Sequence, residues 1–351
     1  MGLTSLTGRT RAKSKAGDRV RVRSREEILA TLDAQGMRDG LPFMPEMLAF
    51  CGREMRVFRR AHKSCDTIHK TGNRRMRGAV HLEEARCDGS AHGGCGAACL
   101  LFWKEEWLEP VATGSGARGA SAGAALCTEA SLAAATRRGP DSAAPYQCQA
   151  TRLFDATSPL AWWDPRQYIE DVRSGNCTFR QLLGALSFRA FTNVLKSRWI
   201  RGYRLLLSAY NAWQRLRGGR PYPKIEGKLE KTPGPDEKIG AGDWVRVRSV
   251  SEIEATLNRR NRNRGMYFDA EMTPFCGQTF RVKGEVKKII DERTGEMIAL
   301  KDSWLLDGVH CLARYSDRRI ACPRAILPYW RTCWLQRIEA PASVSPRIAP
   351  E

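Results

Sequence analysis

The chain has 351 residues, 58 Lys and Arg against 38 Asp and Glu, a formal net charge of +20, and 42% hydrophobic residues. That length holds two or three compact domains, and the charge favours anionic partners (nucleic acid, anionic lipid, a polyanionic glycan) without choosing among them. No uncharged apolar run is long enough to span a bilayer, so no transmembrane segment is expected.

Residues 1–15 carry Arg9, Arg11, Lys13 and Lys15 but no apolar stretch. They read as a flexible basic arm, not a secretory signal. A cytoplasmic chain follows, and its twelve cysteines read as thiols or metal ligands in a reducing compartment. The first module spans 16–111. Charged residues alternate with valine over 19–23, which predicts a strand. Ser24 with Glu27 three residues on forms a capping box for a short helix bearing Ile28, Leu29 and Leu32. A half-exposed strand is expected around 55–59. Cys95, Cys99, Trp103 and Trp107 recur every four residues, which predicts one helical stripe.

Residues 112–146, rich in Ala, Gly and Ser, read as a linker. Their G-x-G-x-x-G at 114–119 follows no strand and reads as flexible chain, not a dinucleotide loop. The helical segment, 147–217, opens on a turn at Trp162-Trp163-Asp164-Pro165 and a short helix at 168–172. Phe179, Leu182, Leu183, Leu186, Phe191, Val194 and Leu195 then form a helical stripe, and Leu206, Tyr210 and Trp213 the spine of a second helix over 203–216. No Asp or Glu occurs between Asp171 and Glu226. Arg180, Arg189, Lys196, Arg198, Arg201, Arg204, Arg215 and Arg217 are therefore candidate contacts to an anionic partner. Three readings stand: a solvated basic face on a helical hairpin, a helix lying on anionic lipid with Trp199, Tyr203 and Trp213 at headgroup level, or a nucleic-acid surface. A linker at 218–238 leads to a second module, 239–338, and a Pro-rich tail, 339–351.

The second module repeats the first. AGDRVRVRS at 16–24 returns as AGDWVRVRS at 241–249, and an offset of 225 holds without a gap from Ala16/Ala241 to Val57/Val282. Glu27/Glu252, Thr31/Thr256, Gly40/Gly265, Phe43/Phe268, Met47/Met272 and Cys51/Cys276 are among the shared pairs. A residue kept in both copies reads as architectural, and one kept in a single copy as a carrier of that copy's own chemistry.

Cys65, Cys87, Cys95 and Cys99 are spaced C-x21-C-x7-C-x3-C, with Asp88-Gly89-Ser90-Ala91-His92-Gly93-Gly94 before the third. Glycines let the chain turn tightly enough for several sulfurs to converge. Cys65, Cys87, Cys95, Cys99 and His92 are the candidate metal ligands, with His62, His69, Cys127 and Cys148 as substitutes. Four sulfurs suit structural Zn²⁺, or an iron–sulfur cluster as the alternative. Extending the repeat sets Cys65 against Ile290. An offset of 227 then sets Cys95 against Cys322, Cys99 against Ile326, and Trp103 and Trp107 against Trp330 and Trp334. Matching Val80-His81 to Val309-His310 puts Cys87 near Ser316. On that alignment the second copy has lost three of four thiols, as expected of an abandoned metal site. The competing reading is a set of buried core thiols.

The G-D-x-V-x-V-R opening and the later Cys-Gly before an Arg-Val strand resemble SH3-like small barrels, including KOW-type modules and the barrel of nitrile hydratase beta subunits. No nitrile hydratase active-site motif accompanies them. The stretches at 62–66 (H-K-x-C-D), 86–95 (R-C-D-G-x-x-H-G-G-C) and 102–108 (F-W-K-x-x-W-L) resemble an uncharacterised bacterial protein family, a resemblance that implies no activity. The expected fold is α+β, with two repeated small-barrel (SH3-like) modules joined by a basic helical segment. The expected function is a non-catalytic metal-binding scaffold or adaptor docking on an anionic partner. The alternative is a metalloenzyme or iron–sulfur redox protein, with Asp66 or Asp88 as general base.

Overall fold

Both repeats begin with the same local sequence of events: an alternating strand, a serine that ends it and caps one helical turn, and a return through a short hairpin. The structure, a computed structural model, describes residues 13–111, 126–139, 141, 143–196, 203–216, 222, 225–315 and 318–340. In the first repeat, β1 (Arg19–Val22), α1 (Arg25–Leu29), β2 (Met37–Arg38), β3 (Leu41–Pro42) and a 3-10 helix at Pro45–Phe50 precede β4 (Glu54–Arg60). There follow β5 (Lys63–Cys65), β6 (Asn73–Met76), β7 (Ala79–Arg86), β8 (Leu100–Lys104) and β9 (Leu108–Pro110). Between the repeats lie α2 (Glu129–Ala134), β10 (Thr157–Pro159), α3 (Pro165–Arg173), α4 (Phe179–Lys196) and α5 (Tyr203–Leu216). The second repeat contributes β11 (Trp244–Val247), α6 (Val250–Glu254), β12 (Arg262–Asn263), β13 (Met266–Tyr267), a 3-10 helix at Ala270–Phe275 and β14 (Thr279–Glu285). Then come β15 (Lys288–Ile290), β16 (Met297–Ala299), β17 (Trp304–Leu306) and β18 (Leu335–Ile338). The capping box closes in both copies, Ser24 with Glu27 and Ser249 with Glu252.

The main sheets run β8-β7-β4-β1-β9 and β17-β14-β11-β18, with β10-β6-β5 as a separate sheet. In both repeats the last strand returns to the first, Val22 opposite Leu108 and Val247 opposite Leu335. The chain is thus mixed α+β with two half-barrel modules. Each core is a fully buried tryptophan pair set edge-on to a phenylalanine, Trp103 and Trp107 on Phe43, Trp330 and Trp334 on Phe268. The Trp107 indole N–H donates to Thr31 Oγ1 and that of Trp334 to Thr256 Oγ1.

Three sequence expectations change. Cys95 to Trp107 do not form one helix: Leu100–Lys104 is a strand, buried at all five positions, as suits a continuous apolar run covered on both faces. Gln149 completes its edge, accepting from Phe102 N–H at 2.8 Å and donating to Phe102 C=O at 2.9 Å. Cys95 and Cys99 lie in the loop ahead of it. The expected linker is built into the first module where it is described: Thr128 caps α2, and Cys127 and Leu132 join that module's core. Its G-x-G-x-x-G lies outside the described residues. Strand register also revises the alignment. Val57 faces Leu82 as Val282 faces Leu306, and Cys87 N–H donates to Cys99 C=O at 2.8 Å as Cys311 N–H does to Ile326 C=O at 2.7 Å. Cys87 therefore corresponds to Cys311, not to a position near Ser316, and the second copy keeps two of the four thiols, Cys311 and Cys322.

The repeats exchange hairpins. Cys65, at the end of β5, is buried with Ala313 and Cys322 against Cys311 and Ile326 of the second repeat. Its counterpart Ile290, at the end of β15, joins the first repeat's core, where Gly96 N–H donates to Lys288 C=O at 2.8 Å. Thr67 and Glu292, 225 residues apart and so at the same repeat position, hydrogen-bond to each other. A contact between equivalent positions marks an internal approximate two-fold axis. Arg324, 3% exposed, ties the crossing together, donating to Glu292 at 2.8 Å and to Thr67 at 3.2 Å.

α3 is fastened to the exchanged hairpin by Lys63 Nζ and Asp171 Oδ2, 2.5 Å apart and both side chains fully buried. Removing one member of a buried pair leaves the other charge uncompensated, at a cost of about 3–5 kcal/mol. Asp171→Ala is expected to lower unfolding free energy by about that amount in urea titration; a loss under about 1 kcal/mol, the scale of a surface pair, contradicts this role.

Candidate metal centre

The first module's 3-10 helix at Pro45–Phe50 turns Glu46 inward, leaving its side chain 3% exposed. Cys87 follows β7, fixed by its backbone bond to Cys99. His92 sits on a tight turn in which His92 N–H and Gly94 N–H both donate to Gly89 C=O. Gly89 has φ +72°, and a Cβ there would lie 2.2 Å from Cys95 O, so only glycine permits the turn. Cys87 Sγ stands 3.3 Å from Glu46 Oε1 and 3.4 Å from His92 Nε2, and His92 Nδ1 stands 3.6 Å from Glu46 Oε1. Ligands at tetrahedral angles, about 2.0–2.3 Å from a zinc ion, are about 3.3–3.8 Å apart. The two Cys87 distances fall in that range, whereas the His92–Glu46 distance runs through the other ring nitrogen, and an imidazole offers an ion only one. These three are the group among the described residues whose donor atoms converge closely enough to hold one ion.

They open on a cavity of about 40 Å³, lined also by Cys95, Cys99 and Cys148 and, from the second repeat, by Ile290, Glu292 and Arg324. The structure thus brings Cys87, Cys95, Cys99 and His92 to one cavity. Cys65 does not join them, because the hairpin exchange carries it to the second repeat, where its N–H donates to Cys322 Sγ at 3.2 Å. Glu46 was not expected. Its only signal in the sequence is its identity with Glu271, which reads as architectural.

Burial dominates the electrostatics. It pushes the Cys99 thiol up to about 12 and Cys148 up to about 11. Cys87 is raised further, burial first and the Glu46 charge second. Burial also raises Glu46 and lowers His92 to about 4. Each shift disfavours the charge, and a cation among these groups would reverse the thiol and carboxyl shifts.

The second repeat supplies a control. Glu271, the counterpart of Glu46, accepts from Arg314 N–H at 3.0 Å and Tyr315 N–H at 2.6 Å. No histidine lies between Cys311 and Cys322. In the first repeat, Glu46 Oε2 and His92 Nδ1 are buried without a hydrogen-bond partner among the described residues.

The expected basic contacts divide. Arg180 and Arg215 are exposed. Arg189 is not available to a partner: it is 7% exposed, its guanidinium 3.8 Å over the Trp162 ring, held inside by cation–π stacking. The side chains of Lys196 and Arg204 lie outside the description, as do Arg198, Arg201 and Arg217 entirely.

Comparison with protein-family models, curated proteins and solved structures finds no match.

Away from this site, burial lowers His62 and His81 to about 3 and His310 to about 4. His81 donates through Nδ1 to Leu101 C=O and His62 through Nε2 to Gln167 C=O; these bonds favour protonation, but burial outweighs them and both rings stay neutral. The unfolded chain protonates these rings near 6.5 and the folded one only near 3–4. Their stabilisation is therefore present above about pH 6.5 and is lost as pH falls from there toward 4. Asp171, raised to about 6 by burial, and Glu46, raised likewise, act in the opposite sense. Three histidines at about 1.4 kcal/mol per pH unit each outweigh them. Urea midpoints measured from pH 7 to 4.5 are expected to fall steadily; constant midpoints contradict buried neutral histidines.

Proposed function

We propose that the protein is a non-catalytic scaffold whose first module is organised around one metal ion. Glu46, Cys87 and His92 hold it, with a further thiol from Cys95, Cys99 or Cys148. One observation carries this reading: a buried carboxylate and imidazole that share one thiol and each keep one further polar atom without a hydrogen bond among the described residues, while the equivalent carboxylate of the second repeat takes two backbone amides. Unpaired buried polar groups are costly, and an ion that accepts their lone pairs removes the cost. A mixed carboxylate, imidazole and thiolate set suits Zn²⁺ better than an iron–sulfur cluster, which is held chiefly by cysteines.

A structural role is favoured over catalysis. The two carboxylates nearest the sequence motif are spent on local turns. Asp66 accepts from Ile68, His69 and Thr71, and Asp88 from Ser90. Neither is left as a general base. The return of the last strand to the first in each repeat supports reading the half-barrels as SH3-like.

Elemental analysis of the purified chain is expected to find about one zinc per molecule. Cys87→Ser and His92→Ala are expected to bring it near zero, and Cys65→Ser to leave it unchanged. A metal-free wild type, or loss of metal in Cys65→Ser with retention in Cys87→Ser, contradicts the assignment.

A further inference from the structure

We propose that α4 and α5 form a docking face for an anionic lipid bilayer, independently of the metal centre. α5 carries a second apolar band on its outer side, beyond the one it turns inward. Leu207 and Gln214 face inward, 9% and 4% exposed, while Leu205 is 79% exposed, Leu206 39%, Trp213 53% and Leu216 89%. At about 100° per residue, Leu205, Ala209, Ala212 and Leu216 fall in a band about 60° wide. The inner side is mixed: Leu207 and Tyr210 lie there with Gln214 and with Asn211, which accepts from Tyr222 N–H at 2.7 Å. An ordinary surface helix turns its leucines to the core. α4 adds Phe179, 69% exposed, and Leu183, 53% exposed, on one face. The two helices are joined by Phe191 and Tyr210, stacked 3.8 Å apart.

Charge selects the occupant. The sequence from 172 to 225 contains no Asp or Glu but eleven Arg and Lys, of which Arg180 and Arg215 are exposed on these helices. Exposed leucine and tryptophan flanked only by cations is the composition of a helix lying in the interface of an anionic membrane. A nucleic-acid surface needs the cations without the leucines, because phosphate contacts dominate there.

The test is flotation of the full chain with phosphatidylcholine vesicles, with and without about one-quarter phosphatidylserine, at low and high salt. The wild type is expected to float with the anionic vesicles and at least about tenfold less with neutral vesicles or at high salt. L205E/L216E and R180E/R215E are each expected to lose at least about tenfold in binding, with far-UV circular dichroism unchanged, since these side chains are exposed. Four outcomes overturn the proposal. They are no flotation, equal flotation with both vesicle types, flotation insensitive to both double variants, and a concentration-dependent dimer or a duplex-DNA complex abolished by L205E/L216E in place of vesicle binding.

Discussion

Cys87 lies within hydrogen-bonding reach of both Glu46 and His92, yet Glu46 Oε2 and His92 Nδ1 make no hydrogen bond among the described residues, Nδ1 standing 3.6 Å from Glu46 Oε1. A folded interior does not leave such groups unanswered without cause, because the desolvation of each is lost free energy. The glycine turn that places His92, the inward turn of the 3-10 helix and the sulfurs around the cavity all gain a common purpose if a cation sits among them. Burial is the largest cause that raises each neighbouring thiol for which a shift is seen, which describes a site made for deprotonated ligands only once an ion has joined it.

The second repeat shows the same architecture resolved differently. Glu271 keeps its place but takes backbone amides. Cys311 and Cys322 keep theirs, and Cys65 arrives from the other repeat as a third thiol. There Cys322 is eased toward the thiolate, chiefly by the hydrogen bond with Cys65 and also by backbone N–H groups, while Cys65 is held protonated. The hairpin exchange makes both clusters joint products of the two repeats. Ile290 and Arg324 line the first cavity as Cys65 completes the second. The first module's core takes in Ile290 from the other repeat, and Cys65 joins a small cluster beside the second module's own core, which gives the duplication a structural reason to remain in one chain.

Local signals were legible in the sequence wherever neighbouring residues decide the outcome. Ser24 with Glu27, the valine alternation of β1, the helices over 179–196 and 203–216, and the gathering of Cys87, His92, Cys95 and Cys99 all follow from short-range patterns. Non-local choices were not legible. Nothing near Cys65 says that its hairpin crosses to the other repeat, and the Val-His dipeptide shared by 80–81 and 309–310 offered a false register that only strand pairing corrects. The run at 100–103 fits a helical stripe or a buried strand equally in periodicity. Its burial on both faces decided for strand. Glu46 was hidden by its own repetition, since a residue present in both copies looks architectural even when its surroundings differ, a thiol on one oxygen in the first copy and two backbone amides in the second.

The central claim concerns which atoms surround the ion, so the most direct test is X-ray absorption at the zinc edge on the purified full-length protein. A first shell mixing sulfur with nitrogen and oxygen at about 2.0–2.3 Å is the predicted result. An all-sulfur shell, or zinc surrounded only by light atoms as at a casual surface site, would contradict a centre built on Glu46, Cys87 and His92.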